Sequence, residues 1–124
     1  MLNPIFFYLA AFFVFAWGIA HLFPTKGVLR GFGEITADNR RIIAMEWIVE
    51  GAALIFIGLL VAAVTAVGHN SPAAQAVYWL SFAMLNALSL ISLFTGFKVH
   101  LIPFKLCPVI FTGSSLLILL GIVL

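Results

Sequence analysis

The chain has 124 residues, of which 65% are hydrophobic and 8% are charged, and its mean hydropathy is +1.24. A soluble domain carries about 25% charged residues, so this composition excludes a surface that faces mainly water. It predicts an integral membrane protein whose side chains face lipid or other helices. The formal net charge is only +2, and no feature of the sequence indicates a nucleic-acid partner. A single cysteine excludes an intrachain disulfide and a cysteine-rich metal site.

Four apolar segments predict a single domain over residues 1–124, folded as an all-α, antiparallel four-helix membrane bundle. The first helix, over about 4–23, starts with a proline and spans about 30 Å at about 1.5 Å per residue. The second helix covers about 39–67, and Asp38 is its expected N-cap. The third covers about 72–97, with Ser71 as its cap and Pro72 in its first turn. The fourth covers about 104–124, with its start between two prolines.

The basic residues predict the orientation of the bundle. All six lie in two connections, namely Lys26, Arg30, Arg40 and Arg41 between the first two helices, and Lys98 and Lys105 between the last two. Cytoplasmic loops carry an excess of Lys and Arg, so both termini are expected outside, in a plasma (inner) membrane. The glycine-rich segment 24–41 also contains VLRGF, which could lie as a short amphipathic piece in the membrane interface.

Two carboxylates lie inside the second apolar run. Glu46 is about 7 Å and Glu50 about 13 Å beyond Arg41 along the helix axis. The two glutamates are spaced i and i+4, so both point to the same face. An ionisable group at such depth is costly and usually has a partner or a function. Glu46 is also near enough to the surface to form a structural pair with Arg40 or Arg41.

Other polar and aromatic residues lie at matching depths on the first three helices, between which we expect a pocket. The candidate acid–base groups are Glu50, Glu46 and His21, and the candidate ligand-binding residues are Trp17, Trp47, Asn86, Ser89 and Ser92. Each also has a structural interpretation: His21 could bond a backbone carbonyl, the tryptophans could pack at the interface, and the amide and hydroxyl groups could join helices.

Three chemistries fit one histidine with two glutamates. A carboxyl group held away from water favours its neutral form, and a neighbouring histidine can exchange that proton. The same groups could hold a divalent ion, but no HxxxH or ExxH spacing supports this and we assign no metal ligand. The third chemistry is an apolar pocket with a few fixed polar groups, suited to a quinone-like or lipid-like molecule.

The segments FAWGIAHLF and EWIVEGAALIFIGLLV resemble the DoxX-like small four-helix membrane proteins. The resemblance covers about a third of the chain and rests on a glycine before a polar residue in the first segment and on Glu-Gly and Gly-Leu pairs in the second. It implies a four-helix bundle and a link to respiratory or thiol redox chemistry, because some members are subunits of quinone-coupled oxidoreductases. Glu46 and Glu50 fall where that family has its acidic position, whereas this chain lacks the family's early basic residue.

We therefore expect a binding or accessory subunit that holds a hydrophobic ligand, for which a quinone is the candidate, while Glu50 and His21 manage a proton. The alternatives are an enzyme that acts on a lipid-like substrate by Glu/His acid–base catalysis, and a small oligomeric transporter. Expected partners are membrane lipids, the ligand, a soluble redox protein and further copies of the chain. Small residues would allow close helix approach in such an oligomer: Gly51, Gly58, Gly113 and Gly121.

Overall fold

The computed structural model of the chain describes residues 2–124, and it confirms the all-α class. Within these residues the helices are α1 (Pro4–Leu22), α2 (Thr25–Gly31), α3 (Ala37–Gly68), α4 (Pro72–Phe94) and α5 (Ile102–Val123), with a 3₁₀ turn at Gly96–Lys98. Four of them, α1, α3, α4 and α5, are long and apolar enough to cross a membrane. The chain is therefore an integral membrane protein built as a four-helix bundle.

Side-chain caps mark the starts of α3 and α4. Ser71 accepts a hydrogen bond from the backbone N–H of Ala74 over 3.1 Å, which confirms the predicted cap of α4. The predicted cap of α3 at Asp38 is wrong, because Thr36 accepts from the backbone N–H of Asn39 over 3.1 Å. Asp38 lies in the first turn instead, where a negative charge suits the positive end of the helix dipole.

The connections differ from the predicted ones in three places. Helix α4 ends at Phe94 rather than near residue 97, and the chain continues into the 3₁₀ turn. Helix α5 begins at Ile102 and carries Pro108 in its interior. The interfacial piece predicted around VLRGF is a seven-residue helix, α2, which starts three residues before that segment.

The spanning helices form a ring in which α1 contacts α3 and α5, and α4 contacts the same two helices. Short connections make consecutive spanning helices antiparallel. As a result, every Lys and Arg of the chain lies at the end of the bundle where α1 leads into α3 and α4 into α5. We call this the basic end.

A stacked aromatic pair ties the diagonal helices together toward the opposite end. The rings of Phe7 on α1 and Tyr78 on α4 are 3.7 Å apart and nearly parallel. The Tyr78 hydroxyl lies 2.9 Å from Oγ1 of Thr65, which itself donates to the carbonyl oxygen of Val61. The buried hydroxyl groups of Thr65 and Tyr78 therefore have partners, as burial away from water requires.

Glycines set the spacing between α1 and α3. A Cβ on Gly18 would lie 2.8 Å from the backbone nitrogen of Ile55, and one on Gly58 would lie 2.8 Å from the carbonyl oxygen of Ala11. A Cβ on Gly51 would meet the side chain of Leu22. Three of the four glycines that we expected at an oligomer interface therefore pack inside the bundle, namely Gly51, Gly58 and Gly121, the last against the Phe7 ring. Only Gly113 of that set faces open space, since a Cβ there would meet nothing within 4 Å.

Candidate functional site

The site is built around His21, in the last turn of α1. The residue is only 8% exposed, and its ring stacks on the Trp47 indole of α3 with the ring centres 3.8 Å apart. Trp47 donates its indole N–H to the backbone carbonyl oxygen of His21 over 2.7 Å. The last carbonyl groups of a helix lack partners within the helix, so this bond satisfies one of them. Trp47 therefore fixes both the end of α1 and the plane of the His21 ring.

Glu50 meets His21 from the outer side of α3. Its Oε2 atom lies 3.3 Å from Nε2 of His21, within ion-pair distance. Nε2 nevertheless has no partner in full hydrogen-bond geometry, so the contact is close but not aligned. The Glu50 side chain is 41% exposed whereas that of His21 is 6% exposed. The Glu50 carboxylate is thus partly exposed on the outside of the bundle, whereas the His21 imidazole is buried inside it.

Glu46 lies one turn nearer the basic end and is exposed. Together with Glu50 it borders a shallow groove of about 360 Å³ on the outer face of α3. The alternative structural pair of Glu46 with Arg40 or Arg41 does not form, and Arg41 lies 3.4 Å from Asp38 instead. Among the described residues Glu46 has no ion-pair partner, which distinguishes it from Glu50.

A mainly apolar cavity of about 220 Å³ between α1, α3 and α5 has His21 in its wall. Its walls are Trp17, Ala20, His21, Trp47, Pro103, Phe104, Leu106 and Cys107. The indole N–H of Trp17 is buried and has no hydrogen-bond partner, like Nε2 of His21. Buried polar atoms nearly always have a partner, so two unpaired nitrogen atoms beside one cavity are unusual. Nε2 of His21 faces Glu50, so the Trp17 indole N–H is the donor left for a molecule held there.

The structure does not bring together all the polar side chains that we expected in one cluster, because those of α4 lie away from His21 and Glu50. Asn86 donates its side-chain amide to the carbonyl oxygen of Phe82 in its own helix over 2.8 Å. Ser89 bonds α5, with its hydroxyl 2.6 Å from Oγ1 of Thr112. Neither residue lines the cavity, and nor does the half-buried Ser92. The ring order explains this, because α4 lies diagonal to α1 and turns its serine face toward α5.

The wall that α5 provides was not predicted, because we expected the pocket between the first three spanning helices. Phe104 lies with its ring centre 5.6 Å from that of Trp47, and Cys107 donates its thiol to the carbonyl oxygen of Pro103 over 3.6 Å. The closed ring of an antiparallel bundle makes the first and last helices neighbours, and that signal was available in the sequence. His21 and Glu50, with Trp17 and Trp47, are the predicted site residues that the structure brings together.

Comparisons with protein-family models, curated proteins and solved structures find no match to this chain. The resemblance to the DoxX-like proteins therefore stays a prediction. Within residues 2–124 no group of three or more His, Cys, Asp or Glu side chains is placed to hold a metal ion.

Proposed function

We propose that this chain is a membrane-embedded binding subunit whose cavity beside His21 holds a hydrophobic, quinone-like or lipid-like ligand. The observation that supports this most directly is the position of His21, which lines the cavity and lies 3.3 Å from Glu50. Ligand sites in proteins are mainly apolar with a few fixed polar groups, and this cavity has that character.

The size of the cavity suits a single flat ring. An apolar cavity of about 150 Å³ in another protein admits benzene, so about 220 Å³ accommodates a substituted six-membered ring. Trp47 and Phe104 supply aromatic faces for stacking. A quinone, whose ring carries carbonyl oxygens that accept hydrogen bonds, fits the indole N–H donor of Trp17.

In this proposal Glu50 and His21 manage a proton for the ligand. Glu50 borders the outer groove of α3, and His21, 3.3 Å away, lies between it and the cavity as the group that passes the proton on. Histidine is suited to this because it exchanges protons near neutral pH in many proteins. The chain would act as an accessory subunit of a redox system, and it should then copurify with a soluble redox protein that contacts the basic end.

The single cysteine of the chain allows a direct test, because Cys107 lines the cavity. Protein in lipid nanodiscs is alkylated with N-ethylmaleimide at increasing mole fractions of tetramethylbenzoquinone, which is fully substituted and therefore reacts poorly with thiols. We expect the probe to slow alkylation of Cys107 severalfold. An alkylation rate that stays constant up to saturating probe would overturn the proposal.

Three variants make this test specific. Trp17→Phe keeps the aromatic wall but removes the unpaired donor, so we expect the protection midpoint to rise roughly fivefold, as for one lost hydrogen bond. Glu50→Gln should also raise the midpoint, whereas Glu46→Gln, one turn away and without an ion-pair partner, should leave it unchanged.

The contact of His21 with Glu50 favours one second candidate, an enzyme that acts on a lipid-like substrate. A carboxylate beside an imidazole at 3.3 Å is an acid–base pair nearly within hydrogen-bond reach. Such an enzyme converts a component of a lipid extract without any partner protein and loses this activity in Glu50→Gln. A binding subunit binds its ligand unchanged, so mass spectrometry of the extract before and after incubation separates the two.

A further inference from the structure

The outer face of α3 carries apolar side chains at the spacing of a two-stranded coiled coil. Exposed residues recur alternately three and four positions apart, namely Ile42, Met45, Val49, Ala52, Phe56 and Leu59. This is the a and d pattern of a heptad repeat, along which two helices pack. The buried residues of α3, such as Leu54 and Val61, lie on the opposite face, toward the bundle. We call the exposed stripe the α3 seam.

The first part of the α3 seam lies beyond the end of α1. Helix α1 has 19 residues, ends at Leu22, and spans about 28 Å, close to the thickness of the hydrocarbon core. Trp47 is level with that end, because it bonds the carbonyl oxygen of His21. The part of α3 before Trp47, about 15 Å long, therefore projects past the lipid tails. Ile42 and Met45 in this part are more than half exposed, and lipid tails do not cover them.

Two charged residues flank the start of the α3 seam on opposite sides. With Ile42 at position a, Arg41 holds position g and Glu46 holds position e of the heptad. The two lie five residues apart, so they do not share a face of the helix and do not pair within one chain. In two parallel helices, position g of one helix faces the next position e of the other. Arg41 of each copy would then meet Glu46 of the other copy.

Neither charge has a strong partner within one chain. Glu46 has no ion-pair partner among the described residues. Arg41 lies 3.4 Å from Asp38, but both side chains are more than three-quarters exposed, and such surface pairs are weak and readily exchanged. Asp38 holds the d position before Ile42 and is charged, so the apolar stripe begins at Ile42.

We infer that a second copy of this chain packs its own α3 against the α3 seam, as a parallel pair held at the basic end by two Arg41–Glu46 ion pairs. Two copies related by a two-fold axis along the membrane normal place this helix parallel to its counterpart. The a positions carry the β-branched residues Ile42 and Val49, whereas the d positions carry unbranched or γ-branched residues, which favours two strands. The inference does not depend on the ligand proposed beside His21.

Disulfide trapping tests the α3 seam directly. In a Cys107→Ala background, Met45→Cys places one cysteine per chain at a d position, where the two copies of that side chain meet. The full chain is reconstituted in vesicles at a low protein-to-lipid ratio and oxidised with copper phenanthroline. The initial rate of cross-linking is read from non-reducing gels, and we expect rapid formation of a covalent dimer.

Ile48→Cys in the same background is the matched control. Ile48 is 48% exposed against 54% for Met45 and lies at a similar depth, but its g position is beside the seam. Its two copies are too far apart for a disulfide, so we expect cross-linking about fivefold slower or less. If Met45→Cys does not assemble, Val49→Cys places the cysteine at a neighbouring a position, and the same rapid cross-linking is expected.

Charge reversal identifies the second copy as the occupant of the seam. Arg41→Glu and Glu46→Arg, each added to Met45→Cys, place like charges across the seam, so each should slow cross-linking about fivefold. Mixing the two variants restores both ion pairs, and cross-linking between differently tagged chains should return to the original rate. Arg40→Glu makes the same charge change at position f, away from the seam, and should have no effect.

The outcomes decide the inference without involving the ligand. Equal rates for Met45→Cys and Ile48→Cys indicate random encounters and overturn it. No cross-linking at Met45 or Val49, as expected if lipid or a different protein covers the seam, also overturns it. A rate that charge reversal leaves unchanged, or that the mixture does not restore, contradicts the parallel pair. Protection of Cys107 by a quinone is measured in the unaltered chain, so the ligand proposal stands or fails separately.

Discussion

The indole N–H of Trp47 donates to the backbone carbonyl oxygen of His21 over 2.7 Å, while the two rings stack with their centres 3.8 Å apart. One side chain of α3 thus holds both the backbone end of α1 and the imidazole that α1 carries. The cavity wall and the contact with Glu50 depend on that arrangement, because the imidazole plane decides what Nε2 can reach.

Replacing Trp47 with phenylalanine should destabilise the bundle. Trp47→Phe retains a stacking ring but leaves the His21 carbonyl oxygen without its donor, at a cost of about 1 kcal/mol. Thermal unfolding in detergent, followed by circular dichroism, measures the change. The control is Trp79→Phe, at a side chain on α4 that is 48% exposed, and we expect little effect there. Equal unfolding temperatures for the two variants would contradict the role given to the bond.

The contact between α1 and α3 should be intolerant of added volume. Gly18→Ala places a Cβ 2.8 Å from the backbone nitrogen of Ile55, so the helices must separate, at about 1–3 kcal/mol. Gly113→Ala is the control, because its Cβ meets nothing within 4 Å. Comparison of the two unfolding temperatures decides the matter, and a Gly18→Ala variant as stable as the wild type would show that α1 and α3 are less tightly packed.

Ser89 should contribute to stability but not to ligand binding. Its hydroxyl bonds Thr112 and the carbonyl oxygen of Pro108 across the α4–α5 interface, so Ser89→Ala should cost about 0.6 kcal/mol, as membrane hydrogen bonds do on average. Ser92→Ala is the control, since Ser92 makes no such bond among the described residues. Protection of Cys107 should be unchanged in both. A loss of protection in Ser89→Ala alone would return this serine to the ligand site.

The orientation of the bundle is open to a labelling test. In a Cys107→Ala background, a cysteine is placed by Asn70→Cys at the uncharged turn or by Glu34→Cys at the basic end, both at exposed positions. Because positively charged loops stay in the cytoplasm, a membrane-impermeant maleimide added to intact cells should label position 70 only. Labelling of position 34 alone would reverse the orientation.

The sequence predicted the lengths of the spanning helices well, but it predicted poorly which face of each helix packs against its neighbours. Apolar runs of the right length predicted all four spanning helices, because a bilayer imposes one length on each of them. The cap of α3 was missed because Thr36 and Asp38 are both good capping residues, and only the path of the backbone decides between them.

For the site, counting residues from the basic end put His21 and Glu50 at similar depths in the membrane, and the two side chains are indeed in contact. It wrongly grouped Ser89 with them, because depth says nothing about rotation of α4 about its axis. Rotation follows from packing across the whole ring of helices, for which hydrophobic patterning gives little signal when both lipid and core are apolar.

The most direct test of a ligand beside His21 is an experimental structure of the protein in nanodiscs that contain a saturating mole fraction of tetramethylbenzoquinone. The proposed binding predicts density for a flat ring in the cavity, stacked near Trp47 and with an oxygen about 3 Å from the Trp17 indole nitrogen. A cavity without ring density at saturation, or with the Trp17 indole N–H bonded to the chain itself, would contradict it.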